Sequence, residues 1–193
     1  NPSPAISGNV VTVPYSNGDL VALDIGTGRP LWSDSLARTR SAASFALMSD
    51  AARPAMADGK VYAVGHGGRM VATDQETGER LWGLNVPSTQ TPWVAGQHVF
   101  IVDTTGKLSA ISRENGQFIW TVKLPSSRTW SGPTLAGGAL WLASNKGSVV
   151  GVDAVNGRVT RKFSVGTATY IAPVVADGTM LILTDAAELI AFR

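Results

Sequence analysis

One eleven-residue frame recurs along this sequence, and it limits the chain to folds built from stacked repeats. Its clearest copy is Ala-Thr-Asp-Gln-Glu-Thr-Gly-Glu-Arg-Leu-Trp at 72–82, and a second copy at 22–32 ends in the same Leu-Trp pair. Weaker copies follow at 110–120 and 151–161, and a fifth is cut off after Arg193. The copy at 151–161 ends in Arg161 where the other three end in Trp. The chain is therefore an array of similar units.

A proline stands eighteen residues before each copy of the frame. These prolines are Pro4, Pro54, Pro92, Pro133 and Pro173. An apolar run rich in branched and aromatic residues lies between each proline and its motif, which is typical of a β-strand. The spacing places each proline at the start of a strand, where a missing N–H costs least.

Turn residues divide each repeat into four strands. Pairs such as Asp58-Gly59 close the first hairpin, pairs such as Asn17-Gly18 close the second, and the Thr-Gly or Asn-Gly of the motif closes the third. Four antiparallel strands in about 40 residues form a propeller blade. We therefore predict an all-β fold: a single partial β-propeller over 1–193, with four blades and three strands of a fifth. The predicted blades are residues 1–37, 54–87, 92–125, 133–166 and 173–193.

The charge pattern narrows the range of partners. The net charge is +2 with both signs interspersed, and no run of Lys or Arg resembles the basic stripe of a nucleic-acid site. No apolar stretch reaches the 18 or so residues that a membrane-spanning helix needs. The sequence has no cysteine, which removes thiolate catalysis and thiolate metal sites.

Residues 38–53 interrupt the repeat, because the prolines on either side are 50 residues apart and later prolines are separated by 38 to 41. Insertions in repeats usually form loops on one face. This loop combines apolar and charged side chains, as protein interfaces do. The predicted partner-binding residues are Arg38, Arg40, Phe45, Leu47, Met48, Asp50 and Arg53. The alternative is that the loop folds back over a blade edge and buries its apolar side chains locally.

No residue pattern points to catalysis. Asp24, Asp74 and Asp153 occupy the same motif position, and an acid that recurs at one repeat position is expected to brace a turn. His66 and His98 have no partner at metal-ligand spacing. The glycine cluster at 65–69 precedes a strand and not a helix, so it predicts a hairpin turn and not a phosphate site.

Three tryptophans lie outside the repeated position. Trp141 falls within an apolar strand and is predicted to be core. Trp93 could stack on a ligand, and for Trp130 the sequence leaves binding and packing equally open.

The frame Ala-x-Asp-x-x-Thr-Gly-x-x-x-Trp resembles that of the PQQ-like propeller family over the whole chain. This resemblance implies that the Trp of each frame packs between blades and that its Asp, Thr and Gly hold the last hairpin. The residues that it assigns to the structural repeat are Asp24, Gly28, Trp32, Asp74, Gly78, Trp82, Gly116, Trp120, Asp153 and Gly157. Arg161 breaks this pattern and leaves the packing of the fourth blade open.

Within that family, the stretches at 59–74, 90–96, 130–137 and 171–178 are similar to those of the BamB lipoproteins. The resemblance implies a non-enzymatic scaffold at the periplasmic face of the outer membrane, which docks the POTRA region of BamA through propeller-face loops. It places Asp50 in an acid-containing docking loop. It also implies that the chain is the C-terminal part of an eight-bladed ring, held at the membrane only by an N-terminal lipid anchor that this sequence lacks. A five-bladed ring, imperfectly closed, is the alternative.

The second functional class is a propeller that binds a small ligand or a quinone cofactor, as a dehydrogenase or a sensor. Quinoprotein dehydrogenases resemble this repeat, hold PQQ over Ca²⁺ on the propeller axis and carry a disulfide beside the cofactor. The sequence has no cysteine, and its recurring acids fall at repeat positions. We therefore predict no catalytic residue, no metal ligand and no cofactor.

Overall fold

The computed structural model describes residues 3–36, 52–65, 68–125 and 129–193, and all regular elements in these ranges are β-strands. No helix in the described part of the chain is long and apolar enough to cross a bilayer. The strands form five antiparallel sheets, each made of strands that follow one another in sequence. We call these sheets blades 1 to 5.

The first four blades have four strands each, and blade 5 has three. Blade 1 contains β1 (Ala5–Ser7), β2 (Val10–Pro14), β3 (Asp19–Asp24) and β4 (Pro30–Ser35). Blade 2 contains β5 (Ala55–Ala57), β6 (Lys60–Val64), β7 (Arg69–Asp74) and β8 (Arg80–Asn85). Blade 3 contains β9 (Trp93–Ala95), β10 (His98–Val102), β11 (Lys107–Ser112) and β12 (Phe118–Lys123). Blade 4 contains β13 (Trp130–Ala136), β14 (Ala139–Ser144), β15 (Ser148–Asp153) and β16 (Val159–Ser164). Blade 5 contains β17 (Val174–Ala176), β18 (Thr179–Leu183) and β19 (Leu189–Phe192).

The first strands of successive blades contact one another, so they line the inside of the array. The second and third strands supply most buried residues, and the fourth strand is largely exposed. Apolar clusters fill the spaces between blades; one joins Leu20 of blade 1 to Val61 and Val71 of blade 2. This arrangement of four-stranded antiparallel blades confirms the predicted all-β propeller fold.

Pro133 departs from the predicted position at the start of a strand. Four of the repeated prolines directly precede an innermost strand, but Pro133 lies inside β13, which begins at Trp130. The pairing with β14 shifts between Ser131 and Thr134, so Pro133 falls in a bulge. A bulge tolerates proline because it needs no ladder hydrogen bond from that residue. The prediction that this proline marks a strand start is therefore wrong.

Blade 4 lacks the repeated tryptophan and carries a large aromatic ring, Trp141, on its second strand. In blades 1 to 3 a buried alanine of the third strand is the cross-strand partner of the tryptophan. In blade 4 the corresponding residue is Gly151, whose partners are Arg161 on one side and Trp141 on the other. A Cβ atom at Gly151 would lie 3.0 Å from the Trp141 ring. The absence of a side chain at Gly151 thus makes room for Trp141, which packs in the core between blades 4 and 5 as predicted.

Candidate functional site

The propeller has two faces that carry different loops. On the first, which we call the linker face, the linkers between blades bond to the turn between the second and third strands. Examples are the bonds from Leu36 N to Gly18 O (2.8 Å) and from Leu124 N to Gly106 O (2.9 Å). On the opposite face, which we call the motif face, the motif turns bond to the first hairpin of the same blade. An example is the bond from Gln75 N to Gly59 O, at 2.9 Å.

The recurring carboxylates of the motif face hold turns. Asp74 Oδ1 accepts hydrogen bonds from the Thr77 backbone N–H at 2.8 Å and the Thr77 hydroxyl at 3.0 Å. These two bonds lower the pKa of Asp74. Asp24 is bound in the same way by the side chain and backbone of Thr27, which lowers its pKa too. Asp153 accepts bonds from two backbone N–H groups of its own turn. A carboxylate engaged by local donors is suited to bracing a turn and not to proton transfer.

Each repeated tryptophan ties its blade to the next one. The indole N–H of Trp32 donates to the Gln75 carbonyl oxygen at 2.8 Å, and that of Trp82 donates to the Arg113 carbonyl oxygen at 3.0 Å. Trp120 donates in the same way to Ala154, at 3.2 Å. The accepting residue always follows the third position of the next blade's motif, so the tie is part of the repeat.

Two of the three side chains at that accepting position, those of Gln75 and Arg113, reach back to the preceding blade. Gln75 Nε2 donates to the Ser7 carbonyl oxygen at 3.0 Å. Arg113 donates to the Tyr62 hydroxyl at 3.1 Å and to the Asp58 carboxylate at 2.8 Å, and these contacts raise its pKa. Gln75 and Arg113 are therefore engaged in joining blades. The linker face, where the described residues on either side of the inserted loop are bonded, is the candidate docking surface.

Six of the seven predicted partner-binding residues lie outside the described residues. They are Arg38, Arg40, Phe45, Leu47, Met48 and Asp50. The seventh, Arg53, is exposed and borders a cleft of about 300 Å³ along the innermost strands of blades 1 to 3. Ile6, Met56 and Trp93 line the same cleft, and Trp93 is 36% exposed. The structure thus brings Arg53 beside apolar side chains that the sequence did not assign to the site. One sequence pattern could have indicated this: Arg53-Pro54 and Pro92-Trp93 both contain the repeated proline that precedes an innermost strand.

The other described candidate residues, Trp130 and His98, pack against neighbouring side chains. Trp130 is only 2% exposed and belongs to the core between blades 3 and 4, which favours packing over ligand stacking. His98 stacks on Phe100 with ring centroids 5.8 Å apart. His66 lies outside the described residues.

The described residues that line the cleft at the innermost strands do not supply a calcium site. Calcium requires six to eight oxygen ligands, mostly carboxylates and carbonyls. Among the described residues that line this cleft there is no carboxylate or amide side chain, and Thr91 supplies the one hydroxyl. In the described ranges no three His, Cys, Asp or Glu side chains are grouped so as to hold a metal.

Comparison with known proteins gives one family and a shared fold. The family described as "Outer membrane protein assembly factor BamB" matches residues 1–122 and 106–193. A relative in Yersinia pestis, the outer membrane protein assembly factor BamB, is 25% identical over 98% of this chain and 49% of its own length. The crystal structure of BamB from Moraxella catarrhalis superposes with a TM-score of 0.85 at 20% identity, over 98% of this chain and 57% of that one.

Dehydrogenase propellers have the same fold. The quinohemoprotein alcohol dehydrogenase from Comamonas testosteroni superposes with a TM-score of 0.74 at 16% identity, over 94% of this chain and 39% of that one. At this identity the likeness concerns the fold alone. The chain spans about half the length of the BamB relative from Yersinia pestis.

Proposed function

Since this chain belongs to the BamB family of outer membrane protein assembly factors, we propose that it is a non-enzymatic scaffold subunit of the machinery that assembles β-barrels in the outer membrane. The observation that carries the proposal is the family match, which extends over every residue of the chain. The engagement of the recurring carboxylates in turns agrees with a role without catalysis. The proposed location of the protein is the periplasmic face of the outer membrane.

The partner that we propose is the POTRA region of BamA, which docks on the linker face. Both ends of the inserted loop are fixed there: Leu36 donates to the Gly18 carbonyl oxygen, and Ala52 N donates to the Val64 carbonyl oxygen at 3.2 Å. The loop therefore leaves and enters the propeller on this face. Arg53 and the exposed Trp93 extend the surface toward the axis, and Arg and Trp are enriched among residues that dominate binding energy.

Binding of a BamA POTRA fragment, measured by calorimetry with the full chain, tests this proposal. Asp50→Arg and Leu47→Asp should each weaken binding by at least about 1–2 kcal/mol, with an unchanged melting temperature. Arg29→Gln is the matched control, because Arg29 is exposed in the motif turn of blade 1. Trp82→Ala should lower the free energy of unfolding by roughly 3–5 kcal/mol. It serves as the reference for a variant that loses binding because it unfolds. Normal binding by both loop variants would refute the loop as the docking element.

A quinone-binding propeller is the competing function, because dehydrogenase propellers share this fold. Gel filtration of the chain after incubation with PQQ and Ca²⁺ separates the two. We expect no quinone absorbance in the protein peak, and a retained absorbance band would favour the cofactor function.

A further inference from the structure

The charges of this chain are distributed unevenly among the blades. Residues 103–165, which include most of blades 3 and 4, contain eight Lys and Arg and three Asp and Glu. The rest of the chain contains eight Lys and Arg and eleven Asp and Glu. The net charge of +2 therefore hides a sector with five excess cations and a remainder that is negative.

Four cations of this sector lie on or directly beside the outermost strands. β12 ends at Lys123. β16 contains Arg161 and Lys162, and Arg158 is the turn residue directly before this strand. All four are exposed, and neither strand contains an acid. None of the four forms an ion pair with a described residue, although Lys123 Nζ donates to the Thr105 carbonyl oxygen. On the outer strands of blades 1 and 2, by contrast, Asp34 and Arg80 pair with each other.

Exposed apolar side chains lie among these cations. Phe118 and Ile119 of β12 are 50% and 53% exposed, and Val159 of β16 is 38% exposed. The bond from the Trp120 indole to Ala154, together with the contact of that ring with Gly157, places the start of β12 beside the turn that leads into β16. The two strands are the outermost strands of neighbouring blades.

One cation pair of this sector lies where like charges repel each other. Lys107 and Lys123 are direct cross-strand partners on β11 and β12. Like charges in this position repel each other. No acid compensates them by an ion pair among the described residues. An anionic partner outside the chain would remove this repulsion.

We infer that the outer edge of blades 3 and 4 binds the anionic phospholipid surface of a membrane. We call this surface the rim patch, and its residues are Phe118, Ile119, Lys123, Arg158, Val159, Arg161 and Lys162. The inference rests on the proposed function, which places the protein at the outer membrane. Arg161 and Lys162 line a cleft between blades 4 and 5, but Lys123 and Arg158 lie outside it. The cations therefore extend beyond one pocket, which suits a surface of many headgroups. Exposed aromatic and branched side chains among cations can insert shallowly between headgroups.

Vesicle sedimentation with the full chain tests the inference. We expect binding to phosphatidylcholine vesicles that contain phosphatidylglycerol, weakening as salt is added, and little binding to phosphatidylcholine alone. Each cation near an anionic surface raises partitioning about fivefold, so Arg158→Gln/Lys162→Gln should lower it about 25-fold. Arg29→Gln is the control, because Arg29 occupies in blade 1 the motif position that Arg158 occupies in blade 4. It should change partitioning by less than about twofold.

Binding of the BamA POTRA fragment is measured on the same variants, so that the two proposals fail separately. Unchanged POTRA binding with reduced vesicle binding supports the rim patch. Loss of POTRA binding with unchanged vesicle binding would mean that these cations dock a protein, which overturns the inference. Equal binding to neutral and anionic vesicles would also overturn it. The same holds if the double variant only begins to self-associate, because edge-strand cations can serve merely to prevent strand pairing.

Discussion

The indole ring of Trp32 lies so close to Gly78 that a Cβ atom at position 78 would be 2.5 Å from the ring's Cγ. The same relation recurs between Trp82 and Gly116, where the distance would be 2.9 Å. Gly78 also has a positive φ of 75°, which a side chain disfavours. The tryptophan and the glycine of the repeat therefore act together across a blade boundary, since each tryptophan fits only against a residue without a side chain.

Substitution at two motif glycines separates the cost of a side chain at positive φ from the cost of a clash with the tryptophan ring. Gly28 has a φ of 68° but no atom near its Cβ position, because its turn receives no tryptophan from the described residues. Gly28→Ala should lower the free energy of unfolding by roughly 1–2 kcal/mol, which is the backbone cost alone. Gly78→Ala should lower it by a further 1–3 kcal/mol or so through the clash with Trp32. Chemical denaturation measures both, and equal losses would show that the Trp32 contact contributes little.

Local signals made the fold predictable from the sequence. The glycine and carboxylate turns act within one hairpin, as the bonds between Asp74 and Thr77 show, so their spacing alone predicts the blades. Contacts between blades were harder to predict from the sequence. Nothing in the sequence showed that Arg113 would reach Tyr62 and Asp58, 51 and 55 residues away. The exposed surface beside Arg53 could not be predicted for the same reason, since innermost strands of different blades build it.

The lowered pKa values of Asp24 and Asp74 predict how stability depends on pH. A carboxylate whose pKa is lower in the folded state stabilises the fold above its unfolded pKa, and this stabilisation is lost as the pH falls through the folded pKa. For both residues this window lies below about pH 4. Asp74→Asn should therefore flatten the acid limb of the stability curve measured by denaturation across this range. A limb as steep as that of the unchanged chain would mean that Asp74 is not a source of the acid sensitivity.

A double-mutant cycle tests the contact between Gly151 and the Trp141 ring in blade 4. Alanine occupies the position of Gly151 in the other complete blades and is favoured over glycine within a strand. Gly151→Ala should nevertheless lower the free energy of unfolding by about 1–2 kcal/mol, because its Cβ would press on the Trp141 ring. In a Trp141→Phe background the same change should be neutral or stabilising. Equal effects in both backgrounds would show that Trp141 does not require the glycine.

The cross-strand lysines Lys107 and Lys123 predict a variant that is more stable but binds membranes less well. Lys107→Glu replaces a repulsive pair by an attractive one and should raise the free energy of unfolding by roughly 0.2–1 kcal/mol at low salt. The matched control is Lys60→Glu, because Lys60 is the cross-strand partner of Asp74 and the change there creates repulsion.

These two variants should shift stability in opposite directions, and added salt should reduce both shifts. If the lysine pair is retained for an anionic surface, Lys107→Glu should also lower partitioning onto phosphatidylglycerol vesicles, while Lys60→Glu on blade 2 should leave it nearly unchanged. A gain in stability without any loss of vesicle binding would separate this pair from the rim patch. If the rim variants still lose vesicle binding, the membrane contact would then be assigned to Arg158 and β16.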